Sequence, residues 1–129
     1  MSLGIVFKGP EGIVLAAASR VTLTGQAQSD ESNQPVQIFQ ASFDNATKLL
    51  KVNGQDFVGV VTYGAGALGT QEPRTAHSLL PEFEKKLTDE DVGRLPVKEF
   101  AERLSKFFMD QWKDRMPEDY PGSNMVFLN

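Results

Sequence analysis

The strongest periodic pattern in the sequence runs from Pro96 to about Lys113 and predicts a long amphipathic helix. Proline suits the first turn of a helix, where its missing N–H has no intrahelical partner to lose. After Pro96, apolar side chains recur every three or four residues and form one wide stripe opposite a charged face. The stripe consists of Val97, Phe100, Ala101, Leu104, Phe107, Phe108 and Trp112, and the charged face of Lys98, Glu99, Glu102, Arg103 and Lys106. A helix with so broad an apolar face needs a second layer of structure to cover it.

A second helix is predicted from Arg74 to Leu87, because apolar residues again recur at helical spacing. Pro81 lies inside this segment and predicts either a kink or a position in the first helical turn. The apolar positions are Ala76, Leu79, Leu80, Phe83 and Leu87. The two predicted helices follow each other closely and are expected to form one antiparallel layer.

A hairpin is predicted upstream of the helices, where Gly4 to Lys8 (GIVFK) and Ile13 to Ala18 (IVLAAA) flank Gly9-Pro10-Glu11-Gly12. Proline at the second position and glycine at the fourth position suit a type I turn. The return strand is apolar throughout, which is typical of a strand that is covered on both faces. We therefore expect this hairpin to lie inside a layered structure.

A second hairpin is predicted from Thr47 to Val52 and from Phe57 to Tyr63, since Asn53-Gly54 between them accepts positive φ at low cost. Lys48 stands on a face of its own between apolar neighbours in the first of these strands. Between the two hairpins, Ser19 to Pro35 is polar and is predicted to be a mobile excursion.

Strands followed by two helices predict an α+β fold in a single domain over residues 1–129. In this fold, antiparallel strands form a sheet and the two helices cover it. Met125 to Leu128 (MVFL) resembles the start of one more strand. The expected domain therefore lacks part of its C-terminal half.

Composition excludes several classes of function. The chain has no cysteine, which removes disulfides, thiolate metal sites and cysteine nucleophiles. Its net charge of −4 includes no long run of like charges, so nucleic acid is not an expected partner. No apolar stretch approaches the roughly 18 residues that indicate a membrane span, and Met1-Ser2-Leu3 lacks the pattern of a signal peptide. We expect a cytoplasmic protein without a membrane partner.

Metal and nucleotide sites are poorly supported. His77 is the only histidine, and on a predicted helix a solvated histidine is far commoner than a metal ligand or a member of a Ser-His-Asp triad. Gly64 to Gly69 has the G-x-G-x-x-G spacing, but the preceding strand belongs to a hairpin instead of a parallel crossover. We expect neither a metal nor a cofactor.

The start of the chain offers a different chemistry. Removal of Met1 would leave a free α-amine on Ser2, beside its hydroxyl group. The ordinary pKa of an α-amine is about 8, so this amine can act as the base for the Ser2 hydroxyl. A buried Lys48 nearby would lower the pKa of the nucleophile electrostatically. The alternative is that Ser2 is disordered or foreign to the protein and that Lys48 extends its ammonium group into water.

A family resemblance favours the first interpretation. Gly4 to Leu23 (GIVFKGPEGIVLAAASRVTL) resembles the opening of proteasome subunits and of their bacterial ring-peptidase relatives, with Ala16 to Thr22 in the place of an Ala-x-Asp-Ser-Arg-x-Thr-like segment. The resemblance continues through Lys48 to Val52, through Phe57 to Gly66 and through two helices, and it covers roughly Gly4 to Lys113. It implies the proteasome-like fold of N-terminal-nucleophile (Ntn) hydrolases, in which the complete domain is a four-layer sandwich of sheets and helices.

The resemblance also implies roles for individual residues. It places the nucleophile on Ser2, the lysine partner on Lys48 and the glycine whose N–H stabilises the oxyanion on Gly64. Contacts to a peptide or amide substrate fall on Thr62 and Arg20. Since subunits of this family assemble into rings, the resemblance implies a homo-oligomer, in which the aromatic residues of the second helix either belong to the core or meet a neighbour.

Two departures weaken the implied site. The family's aspartate, which supports the lysine, falls on Ala18, and the usual Thr-Thr start is replaced by Ser2-Leu3-Gly4. We therefore expect an amide or peptide hydrolase with a degraded active site and weak or absent peptidase activity. The alternative is a non-catalytic, proteasome-like structural subunit.

Overall fold

The computed structural model describes residues 3–27, 37–64, 67–69, 72–116 and 118. Within these residues the chain has an α+β fold of three two-stranded antiparallel sheets and two helices. The elements are β1 (Gly4–Gly9), β2 (Gly12–Ala17), β3 (Val21–Ala27), β4 (Gln37–Phe43), β5 (Leu49–Leu50), β6 (Val60–Val61), α1 (Ala76–Asp89) and α2 (Val97–Arg115). The predicted α+β class is confirmed, but the strands form separate pairs instead of one sheet. The predicted strand at residues 125–128 lies outside the described residues.

The first predicted hairpin is present as β1 and β2, which pair from Gly4 opposite Ala17 to Gly9 opposite Gly12. The prediction that its return strand is covered on both faces is wrong, because Ile13 and Val14 are 65% and 61% exposed. The helices pack on β5 and β6 instead, so they leave most of this hairpin uncovered.

A second ladder joins β3, which lies in the segment predicted to be a mobile excursion, to β4, for which the sequence analysis predicts no element. It pairs Val21 with Phe43 at one end and Ala27 with Gln37 at the other, and the hydroxyl oxygens of Thr22 and Ser42 lie 3.2 Å apart. The prediction of a mobile excursion is therefore wrong for residues 21–27, while residues 28–36 lie outside the described part of the chain. Ladder hydrogen bonds use backbone groups that every residue except proline supplies, so the polar residues of these strands do not prevent pairing.

The second predicted hairpin is shorter than its sequence suggests. Only β5 and β6 pair, with Leu49 opposite Val61 and Leu50 opposite Val60. Phe57 cannot continue the strand because its backbone is left-handed, with φ of 63°, and its side chain is 94% exposed.

The turn before Phe57 is held by side chains instead of by a strand ladder. The Gln55 side chain is buried, its Nε2 donates to Gly93 O at 3.0 Å, and its Oε1 accepts from Leu95 N at 2.9 Å. The Glu84 carboxylate accepts from both the backbone N and the Nδ2 of Asn53, at 2.8 and 3.1 Å. These bonds tie the segment 52–57 to α1 and to the loop between the helices.

Both predicted helices are present, with shifted ends. Helix α1 is capped by Thr75, whose Oγ1 accepts from Ser78 N at 3.1 Å, so it begins two residues later than predicted. Pro81 lies in the interior of α1, beyond its first turn, and Pro96 is the residue that precedes α2. His77 is exposed on α1, as the helical pattern predicts.

The core lies between the two helices and the β5–β6 pair. Phe83 of α1 meets two rings of α2, with its ring centroid 6.1 Å from that of Phe100 and 5.3 Å from that of Phe107. Leu50 and Val52 supply the sheet side of the same cluster. The buried side chains of this core are Leu50, Val52, Leu79, Leu80, Phe83, Leu87, Leu95, Phe100, Leu104, Phe107 and Phe108, and Trp112 is buried as well. The aromatic residues of α2 therefore serve the core within the chain instead of offering a surface to a neighbour.

The β1–β2 hairpin approaches β5 and β6 through two glycines. A β-carbon added to Gly4 would lie 2.5 Å from Val61 Cγ1, and one added to Gly59 would lie 2.6 Å from Leu15 Cδ1. Both distances are shorter than any ordinary contact between carbon atoms. The hairpin can lie this close only because these two positions carry no side chain.

We predict that Gly4→Ala lowers the free energy of unfolding by about 1–3 kcal/mol, because the added methyl group overpacks the contact with Val61. The matched control is Gly93→Ala, where an added β-carbon meets nothing within 4 Å. Urea titrations of both variants measure the difference. Equal stability of the two variants would contradict the close approach.

Replacement of the buried amide, Gln55→Leu, is expected to cost roughly 1–3 kcal/mol for each of the two backbone groups that lose their partner. The same replacement at Gln111, whose side chain bonds Arg115 Nε on the partly buried surface of α2, is expected to cost less than about 1 kcal/mol. Both variants are compared by thermal and urea unfolding. A smaller loss at Gln55 than at Gln111 would show that the amide does not hold the turn.

Candidate functional site

Three segments meet where β1 begins. Ala18 N donates to Leu3 O at 2.8 Å, which extends the β1–β2 ladder by one residue at the side of the chain start. Ala46 N donates to Ser19 O at 2.9 Å and joins the connection after β2 to the segment that leads into β5. The start of β1, residues 18–20 and residues 46–48 therefore form one hydrogen-bonded junction.

Lys48 is the charged residue at the centre of this junction. Its side chain is only 7% exposed, and its Nζ donates to Arg20 O at 2.7 Å. Leu50, which follows on the same face of the strand, is buried too, whereas Leu49 between them is 44% exposed. A hydrogen bond from an ammonium group to a carbonyl is charge-assisted, which offsets part of the cost of removing that charge from water.

Thr62 lies beside Lys48 on the neighbouring strand. Its backbone N donates to Lys48 O at 2.9 Å, and its Oγ1 donates to the same carbonyl at 3.4 Å. Two hydrogen bonds thus fix the backbone of Lys48 against the end of β6. This arrangement brings two of the residues that the sequence assigns to the site into direct contact.

Arg20 takes part through two different groups. Its backbone carbonyl accepts from Lys48, while its guanidinium forms a two-point contact with Asp44, with Nε 2.5 Å from Oδ1 and Nη2 3.2 Å from Oδ2. Asp44 raises the pKa of the Arg20 guanidinium above its ordinary value. Both side chains are exposed, so the pair orients the arginine but contributes little to stability.

Gly64 follows Thr62 by two residues and has a left-handed backbone with φ of 86°. An added β-carbon would meet nothing within 4 Å, so the glycine is needed for its backbone conformation and not for space. Ser2, to which the sequence assigns the nucleophile, lies outside the described residues. The structure therefore brings Arg20, Lys48 and Thr62 together, with Gly64 next along the chain.

Sequence reasoning missed the backbone partners of this junction. One acceptor of the Lys48 ammonium group is the main-chain carbonyl of Arg20, and Ser19 and Ala46 also act through backbone atoms. Such partners leave no signal in residue type, because every residue carries the same carbonyl. Asp44 does carry a signal in the sequence, because it is an acidic residue that directly follows the last residue of β4.

A groove of about 290 Å³ lies between α1 and α2, and its lining includes none of the residues of the junction. Two of the charges around it are engaged with each other, since Arg103 bonds Glu90 at 2.8 Å, and Arg103 also bonds Glu99 at 3.3 Å. The nearer of these carboxylates contributes most to raising the pKa of Arg103. The groove is lined by Phe83, Lys86, Leu87, Glu90, Arg103, Lys106, Phe107 and Asp110.

In the part of the chain that the structure describes, no three His, Asp or Glu side chains are grouped in a way that could hold a metal ion. Neither helix there is both long enough and apolar enough to cross a bilayer. No family model, no curated protein and no solved structure matches the chain.

We predict that Lys48 reacts with an amine-acylating reagent at least about tenfold more slowly than Lys51, its exposed neighbour on the same segment. Acylation of a buried, hydrogen-bonded ammonium group requires a local opening of the junction, whereas an exposed one reacts directly. Peptide mapping by mass spectrometry gives both rates in one sample. In urea the two rates should converge, and equal rates in the folded protein would show that Lys48 is not buried.

Proposed function

We propose that the chain is an Ntn amide or peptide hydrolase with a weakened active site and a proteasome-like fold. The observation that carries the proposal is the buried ammonium group of Lys48, 2.7 Å from Arg20 O. It lies in the junction that joins residues 18–20 and 46–48 to the start of β1. A buried charge is costly even when it is hydrogen-bonded, so its position at this junction supports a role in the proposed site.

In the proposed mechanism, removal of Met1 leaves Ser2 as the first residue. The Ser2 hydroxyl attacks the carbonyl carbon of an amide, and its proton passes to the free α-amine of the same residue. The tetrahedral intermediate collapses to an ester of Ser2 as the leaving amine takes that proton. The α-amine of Ser2 then deprotonates a water molecule, which attacks the ester. The acid is released, and the proton held by the α-amine passes to the Ser2 oxygen.

The proposed roles of the other site residues are electrostatic and steric. The positive charge of Lys48 favours the developing negative charge on the nucleophile. Gly64 would present its N–H to the oxyanion, a donor of a kind that contributes about 3 kcal/mol to a typical transition state. Thr62 and Arg20 would contact the substrate, and the exposed guanidinium of Arg20 suits a carboxylate or a carbonyl group.

The proposed site is weak because Ala18 supplies no carboxylate beside Lys48. The Arg20 carbonyl, 2.7 Å from Nζ, is one of the groups that hold the ammonium group in place. A site whose groups are displaced by about 1 Å can lose about a hundredfold in rate. Slow turnover is therefore part of the proposal.

The absence of that carboxylate also favours the alternative function, a non-catalytic structural subunit of a proteasome-like homo-oligomer. In this case the role of Lys48 is to stabilise the junction, and the start of the chain carries no nucleophile. The two functions differ in whether Ser2 reacts.

The proposal is tested with a peptide-based electrophile that traps N-terminal hydroxyl nucleophiles, followed by intact mass analysis of protein from which Met1 has been removed. We expect slow formation of one adduct and none in Ser2→Ala. Lys48→Met should form it about a hundredfold more slowly, while Lys51→Met, which replaces an exposed lysine, should react at the parent rate. Ala18→Asp should raise the rate by restoring a carboxylate next to the lysine.

The alternative function is supported if the parent protein, with Ser2 exposed, forms no adduct and cleaves no short amide substrate. An adduct that persists in Ser2→Ala places the reactive group elsewhere and contradicts the mechanism. Because Lys48→Met removes a buried side chain, its unfolding is measured alongside. Ser2→Ala, which changes no described contact, keeps the test decisive if Lys48→Met is unstable.

A further inference from the structure

One face of the β1–β2 hairpin is apolar and exposed. Residues that pair in an antiparallel ladder share a face, so Phe7 lies on the same side as Val14, and Ile5 lies on the same side as Ala16. Leu3 extends this side by its bond with Ala18. Leu3, Ile5, Phe7 and Val14, here called the outer face, are 57%, 50%, 66% and 61% exposed.

The outer face is the side of the hairpin that does not meet the β5–β6 region, although Val6 and Ile13 on the opposite side are also exposed, at 66% and 65%. The opposite side of the hairpin carries Gly4 and Leu15, which approach Val61 and Gly59 of the β5–β6 region. Because successive side chains of a strand alternate, contacts on that side leave the outer face uncovered. The helices do not reach it, since their apolar residues form the core with Leu50 and Val52.

The outer face has the size of the central part of a protein interface. A large apolar or aromatic side chain that is about half exposed presents roughly 100 Å², so four present roughly 400 Å². A standard interface buries about 800 Å² on each partner, of which a little over half is apolar. Backbone and flanking residues of the hairpin would supply the polar rim.

The chemistry of the outer face suits a second copy of the same chain. It carries no charged side chain, since Lys8 lies on the opposite side of the ladder with Ile13. A two-fold axis brings a face against a copy of itself, so a face with charges of one sign would repel its copy and an uncharged apolar face does not. The lack of charge on the outer face matters because the whole chain has a net charge of −4, so two copies repel each other elsewhere.

We propose that two copies of this chain form a dimer by packing their outer faces together, sheet against sheet. The contact is isologous, with Phe7 and Val14 at its centre and the two hairpins forming a four-stranded sandwich whose layers lie about 10 Å apart. The proposal concerns assembly and does not depend on the proposed hydrolase, because it requires no reaction at Ser2.

Light scattering after size exclusion tests the dimer, with the 129-residue chain loaded from about 0.1 to about 100 µM, a range that brackets micromolar affinity. We expect a dimer that dissociates on dilution. Phe7→Asp should weaken the dimer at least about a hundredfold, because it buries two carboxylates against each other. Val97→Asp, at a residue of α2 that is 65% exposed, should dimerise as the parent does.

Cysteine substitution provides a second readout, since the natural chain contains no cysteine. Val14→Cys should form an intermolecular disulfide under mild oxidation, and Val97→Cys should form little. In the dimer, the thiol of Val14→Cys should also react slowly with a maleimide. This test does not depend on the stability of Phe7→Asp.

Three results would overturn the proposal. A monomer at every concentration, with a reactive thiol in Val14→Cys, shows that the outer face is open. A monomer in which this thiol is protected shows that another part of the same chain covers the face. A dimer that Phe7→Asp leaves intact also contradicts it, because the contact would then use a different surface.

Discussion

The arrangement of the helices over the strands depends on the side chain of Gln55. Its amide donates to one residue of the loop between α1 and α2, Gly93, and accepts from another, Leu95, and it is 1% exposed. A buried amide that loses its partners costs roughly 1–3 kcal/mol for each unsatisfied group, so the loop and the turn that carries Gln55 stay together. Since α1 ends and α2 begins at that loop, both helices are fixed over β5 and β6, and the apolar core forms between them.

The two halves of the described chain are held by different kinds of contact. Around the helices, large apolar side chains are fully buried, and each contributes about 1.5–3 kcal/mol relative to exposure. The β1–β2 hairpin instead depends on close backbone approach at Gly4 and Gly59 and on the bond from Lys48 to Arg20 O. The buried lysine joins the segment that follows the hairpin to the strand region under the helices.

Much of the fold could be predicted from the sequence, and the failures have physical causes. Both helices could be predicted because their apolar residues recur with a period of 3.6. This pattern can be recognised without knowing which element packs against the helix. The length of the β5–β6 hairpin could not be predicted, because the amide of Gln55 holds the turn against a loop about 40 residues away in sequence. The β3–β4 pair was missed because the polar composition of Ser19 to Pro35 outweighs the short alternation of apolar and polar residues from Val21 to Thr24. For the site, the sequence predicted Lys48 as a distinctive residue, but its carbonyl acceptor has no signature in sequence.

The proposed site and the proposed dimer meet at Leu3. This residue belongs to the outer face, and its carbonyl accepts from Ala18 N next to the chain start. In an Ntn hydrolase the nucleophile is the first residue, so its position depends on how firmly the following residue is held. Chain ends fray unless they are tied down, and one backbone hydrogen bond at an exposed strand end provides little restraint. Packing of Leu3 against a second copy would reduce that freedom, and preorganisation of a nucleophile raises its rate without any new catalytic group. Dimerisation would then matter most for the proposed site, in which Ala18 supplies no carboxylate.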